Sequence, residues 1–292
     1  MITRVLVTVM TYPTLSKNHF ETVCTAGFRE DGSWIRIYPV PHRLLYLQDM
    51  PKYKKWQWIE VDLKKNPNDN RPESYHIENI DTLRILEKLD GVKIDWDNRY
   101  RWITKNKIVY DDMTALLKET KNNLVSLAVL RPTEFVDFTW EEVDMTGYNE
   151  MLAKYQKRYD AERRQLSLFD DKKSINDSFV FAKKIPFRFK YVFKTRDGKE
   201  RRLMIEDWEI GMLFLNSYKN SKGNTQEEKY KEAISKVRDK YWGFVQKEEV
   251  LLLIGTQYKW HNLNAPNPYV IIGVFHCPKN RRECKLNCVK LQ

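Results

Sequence analysis

"FRFKYVFKTRDGKERRLMIEDW", residues 187–208, decides how the second half of the chain is read. Phe187, Phe189, Tyr191 and Phe193 alternate with Arg188, Lys190, Val192 and Lys194. Successive side chains of a strand point to opposite faces. Period two therefore predicts an aromatic face for a core and a mainly basic face for the outside. Asp197-Gly198 then signals a hairpin, because glycine accepts the positive φ that a tight turn requires. The return strand is "RRLMIEDW". Two helices are expected next, over 207–219 and 226–246, followed by "EVLLLIGTQ" and "PYVIIGVFH" as buried closing strands.

Working outward, the first half reads as strand. "RVLVTVMTY" alternates. "FETVCTAGF" and "SWIRIYPV" are two runs joined by Arg29-Glu30-Asp31-Gly32, and "WQWIEVDL" is a further β-branched, aromatic run. "NPNDNRPES" is a loop by composition. A helix is expected over 111–121, capped by Asp112, with Leu116 and Leu117 facing inward. "SLAVLRPTEFVDFTWEEV" reads as two strands broken by Pro132. The expected fold class is α+β in three parts. Residues 1–146 form a β-rich, barrel-like domain. Residues 147–178 form a charged helix, with Met151, Leu152, Tyr155 and Tyr159 on a helical spacing, and the polar linker "DDKKSINDS". Residues 179–292 form a smaller basic α+β domain with a cysteine-containing tail.

The chain has 292 residues, 42% of them apolar, enough for a sizeable core in one large domain or two ordinary ones. No apolar run is long enough to cross a bilayer as a helix. "MITRVLVTVMTYP" alternates like a strand and lacks a signal-peptide layout. The expected compartment is the cytoplasm, without membrane partners, where cysteines stay reduced. Net charge is +11, and segments 183–202 (+7) and 276–292 (+4) account for all of it. A localised basic surplus points to a polyanion, DNA or alternatively RNA. The candidate phosphate contacts are Lys183, Lys184, Arg188, Lys190, Lys194, Arg196, Arg201 and Arg202 on the hairpin. Lys279, Arg281 and Arg282 follow in the tail, and Arg36 and Arg43 lie near "WIRIYPVPHR". Trp34, Tyr38, Trp56 and Trp58 are candidates for stacking on exposed bases, with core packing the commoner role for such residues.

Gln165-Leu166-Ser167-Leu168-Phe169 lies where the charged helix gives way to the linker. This stretch resembles the pentapeptide by which many bacterial proteins bind the replicative sliding clamp, and it matches the usual Gln-Leu-Ser/Asp-Leu-Phe at all five positions. The resemblance implies the clamp as partner. The residue types suit it: the Gln165 amide both donates and accepts, while Leu168 and Phe169 fill an apolar pocket and Leu166 adds contact. The whole chain also resembles an uncharacterised family of bacterial proteins of similar length. "VCTAGF", "GSWIRIYPVP", "YKKWQWIEVD", "RPES" and "LMIEDWEIG" carry that resemblance, which implies a recurrent two-part architecture.

Cys277, Cys284 and Cys288 are spaced C-x6-C-x3-C, in a stretch similar to the cluster loop of iron–sulfur DNA glycosylases. That family's spacing is C-x6-C-x2-C-x5-C, so Cys24 or His276 would have to complete an iron–sulfur or zinc site. Free thiols are the alternative. Asp62 and Lys64, two apart on a strand, share a face. With Asp49 upstream they form a weak match to a metal-dependent nuclease site. Glu206, Asp207 and Glu209 sit at a strand-to-helix junction, where Asp207 is expected to cap the helix. Ten glycines form no phosphate-cradling loop, and no nucleophile triad is evident. The expected function is a DNA-binding protein recruited to the clamp in repair, mobile-element or phage-defence transactions. The alternatives are a nuclease, an iron–sulfur repair enzyme or an RNA-binding protein.

Overall fold

The computed structural model describes residues 1–17, 19–42, 52–169 and 180–280, with the backbone alone for 163–169. The first half is a closed barrel. Its strands are β1 (Ile2–Met10), β2 (Thr14–Ser16), β3 (Phe20–Phe28), β4 (Trp34–Pro41), β5 (Gln57–Lys65) and β6 (Ser74–Lys88). The sheet order is β1-β5-β6-β4-β3-β2, and β1 also pairs with β3. The ring β1-β5-β6-β4-β3-β1 is therefore complete, with β2 appended to β3. All its pairings are antiparallel except β4–β6, which runs parallel through Arg36↔Ser74 and Ile37↔Tyr75. This is the strand order of an OB-type Greek-key barrel.

β1 is apolar on both faces, because its run Val5-Leu6-Val7 meets a core on each side. Val5 and Val7 point into the barrel with Val23, Ile35, Ile37, Ile59 and Val61. Leu6 and Val9 point out, against Leu127, Val129, Leu251 and Leu253 of the second half. A bulge between Val7 and Val9 keeps the outward face apolar.

The chain continues through α1 (Trp96–Thr104), β7 (Val109–Tyr110), α2 (Met113–Lys121), β8 (Leu127–Leu130), β9 (Glu134–Glu142) and α3 (Thr146–Phe169). Then come β10 (Phe187–Lys194), β11 (Glu200–Met204), α4 (Trp208–Lys219), α5 (Gln226–Lys247), β12 (Glu248–Thr256), α6 (Tyr258–Asn262) and β13 (Tyr269–Pro278). They form a sheet of order β13-β12-β8-β7 and another of order β11-β10-β9. β8 and β9 thus hydrogen-bond to β12 and β10. The boundary expected at 146 would cut both sheets, and strand pairing places the division before β7. Local composition could not reveal this, because the partners across that boundary lie 45 or more residues away.

The hairpin reading of 187–208 agrees with the structure. β10 and β11 pair antiparallel from Lys190↔Met204 to Lys194↔Glu200, around Gly198 at φ 70°. Phe189, Tyr191 and Phe193 are buried, and the Tyr191 hydroxyl donates to the Tyr241 carbonyl at 2.7 Å. Asp112 caps α2 by accepting from the Ala115 N–H at 3.0 Å. Thr225 and Glu228 form a capping box on α5. Asp207 sits at the α4 cap position, but its carboxylate makes no cap bond; it is drawn instead to the Lys55 ammonium at 2.5 Å.

α3 is longer than expected. Its backbone stays helical through Phe169, so Gln165–Phe169 lies on a helix end where a linker was expected. The side chains of Gln165, Leu166, Leu168 and Phe169, and all of 170–179, fall outside the described residues. The helix is moored to the barrel by Tyr155, which is buried with Phe20 and Phe181. The Arg158 guanidinium lies 4.3 Å from the Phe20 ring centre and donates to the Lys17 carbonyl at 2.7 Å. Among the described residues, no helix is long and apolar enough to cross a membrane.

Candidate nucleic-acid interface and its inner cavity

A cleft of about 810 Å³ opens on the barrel face made by β4, β6 and the loop between β5 and β6. Tyr38, Asn66, Asn68, Arg71 and His76 line it from the barrel, and Tyr258 of α6 closes one side. Two hydrogen bonds fix the loop: Asn66 donates its amide to the Tyr38 carbonyl at 3.3 Å, and the Tyr258 hydroxyl donates to the Asn68 carbonyl at 2.9 Å. The Arg71 guanidinium lies 5.6 Å from the Tyr258 ring centre. Tyr258 is 47% exposed, and Trp260, two residues along the same helix, is 44% exposed.

Adjoining this cleft is a cavity of about 230 Å³ that shares Tyr38, Arg71 and Tyr258 with it. Its chemistry comes from Cys24, Arg36, Arg71, Glu206, Thr256 and Gln257. Arg36 is only 2% exposed; it donates to the Ser74 and Ser126 hydroxyls at 3.0 and 2.8 Å and to the Ser126 carbonyl at 3.2 Å. Glu73 backs this arrangement by accepting from the Ser126 N–H and hydroxyl. Arg71 is forked onto Asp69 through Nε at 2.9 Å and Nη2 at 2.6 Å, and its Nη1 donates to the Thr256 carbonyl at 2.5 Å. A guanidinium carries five N–H donors, so each keeps donor capacity beyond these bonds.

Glu206 accepts from the Gln257 amide at 2.9 Å. Burial raises its pKa, against the opposing pull of that hydrogen bond and of Lys184 and Arg188. Burial also raises the Cys24 thiol, more than Arg36 and Arg71 lower it, so Cys24 stays a neutral thiol. Thr256 is 4% exposed, and its Oγ1 has no hydrogen-bond partner. The cavity gathers residues from four of the stretches that carry the whole-chain resemblance: Cys24, Arg36 with Tyr38, Arg71, and Glu206. Sequence reasoning missed this convergence, because the four are brought together only by barrel closure and by the seating of β11–α4 against β13.

The sequence-derived candidates are placed as follows. Arg36, expected at a phosphate, is interior, because the serines and Glu73 satisfy it inside the protein. The outward face of β10 is not a free basic surface. Glu141 of β9 takes Lys190 at 2.5 Å and Arg188 at 3.6 Å, and Glu134 takes Lys194 at 2.9 Å. Arg196 meets Asp111 at 3.5 Å, and Arg201 meets Asp197 at 2.8 Å. The surplus that is continuous in sequence is thus offset in space by β9, which carries Glu134, Asp137, Glu141 and Glu142. Lys184 is half-buried over the Tyr148 ring at 5.1 Å, and Arg202 is exposed. Lys183 is exposed and lends its carbonyl to the Tyr12 hydroxyl at 2.6 Å.

Of the four aromatic candidates, Tyr38 alone lines the cleft. Trp58 is buried, and Trp34 and Trp56 pack against the core between the two halves. Asp62 contacts the Met1 amino group, and Lys64 meets the exposed Glu78 at 3.4 Å. Cys277 is fully buried in the core between the halves, near the C-terminal end of β13, whereas Cys24 borders the polar cavity near the other end of that strand. Among the described residues, no group of three metal-ligating side chains occurs. Asp49, Arg43, Arg281, Arg282, Cys284 and Cys288 lie outside the described residues, and Lys279 is exposed at their edge.

Two family models match the chain. A domain of unknown function (DUF8758) covers residues 1–105, and a second domain of unknown function (DUF8757) covers residues 107–289. The junction between them falls just before β7, where strand pairing also divides the molecule. None of the curated proteins matches the chain. Since the second match spans more than half of its length, the chain belongs to the DUF8757 family.

Proposed function

We propose that the chain binds DNA in the cleft between Tyr38, Arg71 and Tyr258, and that Gln165–Phe169 recruits it to the bacterial sliding clamp. The observation that carries the first part is the position of the cleft. OB-type barrels bind oligonucleotides on the face of their second and third strands and on the loops flanking it. In this ring those strands are β3 and β4; β4 supplies Tyr38 to the cleft, the β5–β6 loop supplies Asn66, Asn68 and Arg71, and the neighbouring β6 supplies His76. Strand order gives an analogy; the side chains give the chemistry. Two tyrosine rings offer faces for base stacking, and an anchored guanidinium lies beside the Tyr258 ring. The full match of Gln165–Phe169 to the clamp-binding pentapeptide supports the second part, together with its place at the end of a long helix moored to the barrel. Repair, mobile-element and phage-defence settings all suit such a protein.

The test is fluorescence anisotropy with labelled single-stranded DNA, beside clamp binding by the same protein. Tyr258→Ala removes an exposed ring and should leave folding intact. It should weaken DNA binding by about tenfold, since one base–aromatic stack contributes roughly 1–3 kcal/mol. Unchanged affinity would remove DNA from the cleft. RNA outcompeting DNA at matched salt would replace one nucleic acid by the other. Gln165→Ala/Leu168→Ala/Phe169→Ala should abolish clamp binding and leave DNA binding unchanged.

A further inference from the structure

We propose that the inner cavity receives one base turned out of the DNA strand held in the cleft; this rests on the DNA-binding reading of that cleft. Size is the first argument. The cavity holds about 230 Å³, below the roughly 300–1,000 Å³ of sites for drug-sized ligands. It has room for a single heterocycle. Position is the second: its walls share Tyr38, Arg71 and Tyr258 with the cleft. A strand stacked on the tyrosines would present its bases at the mouth.

Charge is the third argument, and it separates a base from a phosphate. Two guanidiniums line the cavity, but Asp69 is forked onto Arg71, and Glu73 acts electrostatically on Arg36. Glu206 adds a carboxyl group that burial pushes toward its neutral form. The cations are thus already balanced, so the cavity suits a neutral polar group better than an anion.

The donor pattern narrows the choice of base. Arg36 and Arg71 have N–H groups left to give, and two converging donors are met best by a carbonyl oxygen, which has two lone pairs, rather than by the single lone pair of a ring nitrogen. Glu206 and Gln257 supply acceptors, with the remaining amide N–H as donor, for the opposite edge. Guanine, cytosine and thymine carry a ring carbonyl; adenine does not. The cavity should therefore favour the first three over adenine. Turning a base out is easiest from single-stranded or mispaired DNA, which fits an OB-type cleft.

The experiment uses the full chain and single-stranded oligonucleotides in which 2-aminopurine sits beside one target guanine, cytosine, thymine or adenine. Extraction of the target unstacks the reporter and raises its fluorescence, while anisotropy of an end label reports binding. The expected result is a rise with guanine, cytosine or thymine at concentrations about tenfold lower than with adenine. That rise should disappear in Glu206→Gln and in Gln257→Leu, while anisotropy still reports binding. Glu206→Gln conserves shape and carries the test if Gln257→Leu fails to fold by circular dichroism. Binding by anisotropy with no fluorescence change for any target would overturn the base pocket and leave the cleft reading standing. Loss of discrimination without any effect of either variant would also overturn it. No binding to any oligonucleotide would overturn both.

Discussion

Lys55→Met tests the ion pair that replaces the expected helix cap. In the native protein, Asp207 is fully buried and lies 2.5 Å from the Lys55 ammonium, which is itself 12% exposed. Glu209, more open to solvent, meets the same ammonium at 3.0 Å. Burial alone would lower the Lys55 pKa, but Asp207 and Glu209 more than offset it, so Lys55 remains charged. Burial raises Asp207 to about 6, against the pull of Lys55.

Methionine fills much of the same space and removes the charge. Deleting one partner of a buried pair typically costs about 3–5 kcal/mol, because the other charge is left uncompensated. Asp207 should sit toward the lower end of that range, since it can escape by taking up a proton. A loss of that size lowers the melting temperature by roughly 6–15 °C for a domain this large. The pH dependence has a defined sign. A carboxyl group whose folded pKa is raised contributes stability that is fully present below its unfolded value of about 4. That contribution is lost as pH rises through its folded pKa. Without Lys55, the folded pKa of Asp207 moves above about 6, so the gap between variant and wild type should widen from pH 5 to pH 8. Adding Asp207→Asn to Lys55→Met should restore much of the loss, because no buried charge remains. Thermal melts at both pH values decide the matter. A Lys55→Met protein melting within about 1 °C of wild type at pH 8, or a double variant no better than the single, would refute the reasoning.

Three further outcomes are expected. Tyr191→Phe should cost about 1 kcal/mol in urea unfolding, the net worth of its buried bond to the Tyr241 carbonyl. Thr256→Val should leave the free protein as stable or slightly more so, since it removes a buried hydroxyl without a partner; a loss above about 1 kcal/mol would mean that the hydroxyl is satisfied in solution. Arg188→Ala/Lys190→Ala should change DNA affinity by less than about threefold, because Glu141 already holds both cations; a drop of tenfold or more would return the nucleic-acid surface to β10.

Much of the local structure was legible in the sequence. Period two marked β10 with its aromatic core face, Asp197-Gly198 marked its turn, Asp112 marked the start of α2, and the first half read as barrel-like. These signals arise from neighbours a few residues apart, where backbone sterics and side-chain alternation act directly. The site was not legible in the same way. "RPES", "VCTAGF", "WIRIYPVP" and "LMIEDWEIG" stood out one by one, yet nothing local said that Arg71, Cys24, Arg36 and Glu206 would share one cavity. Arg36 and Asp207 were misread for the same reason. An arginine on a strand looks solvated, and an aspartate before a helix looks like a cap, until distant partners are seated beside them. The charge of 183–202 is continuous along the chain, but in space β9 brings its carboxylates across from 134–142 to meet it. Sequence alone marked many of the segments that became strand or helix, though not β6, α1 or α6, and which of their faces sought a core. Tertiary structure decided which charges were paired and where a polar cavity was left open, since charge pairing and burial depend on groups that only the closed fold brings within a few ångströms.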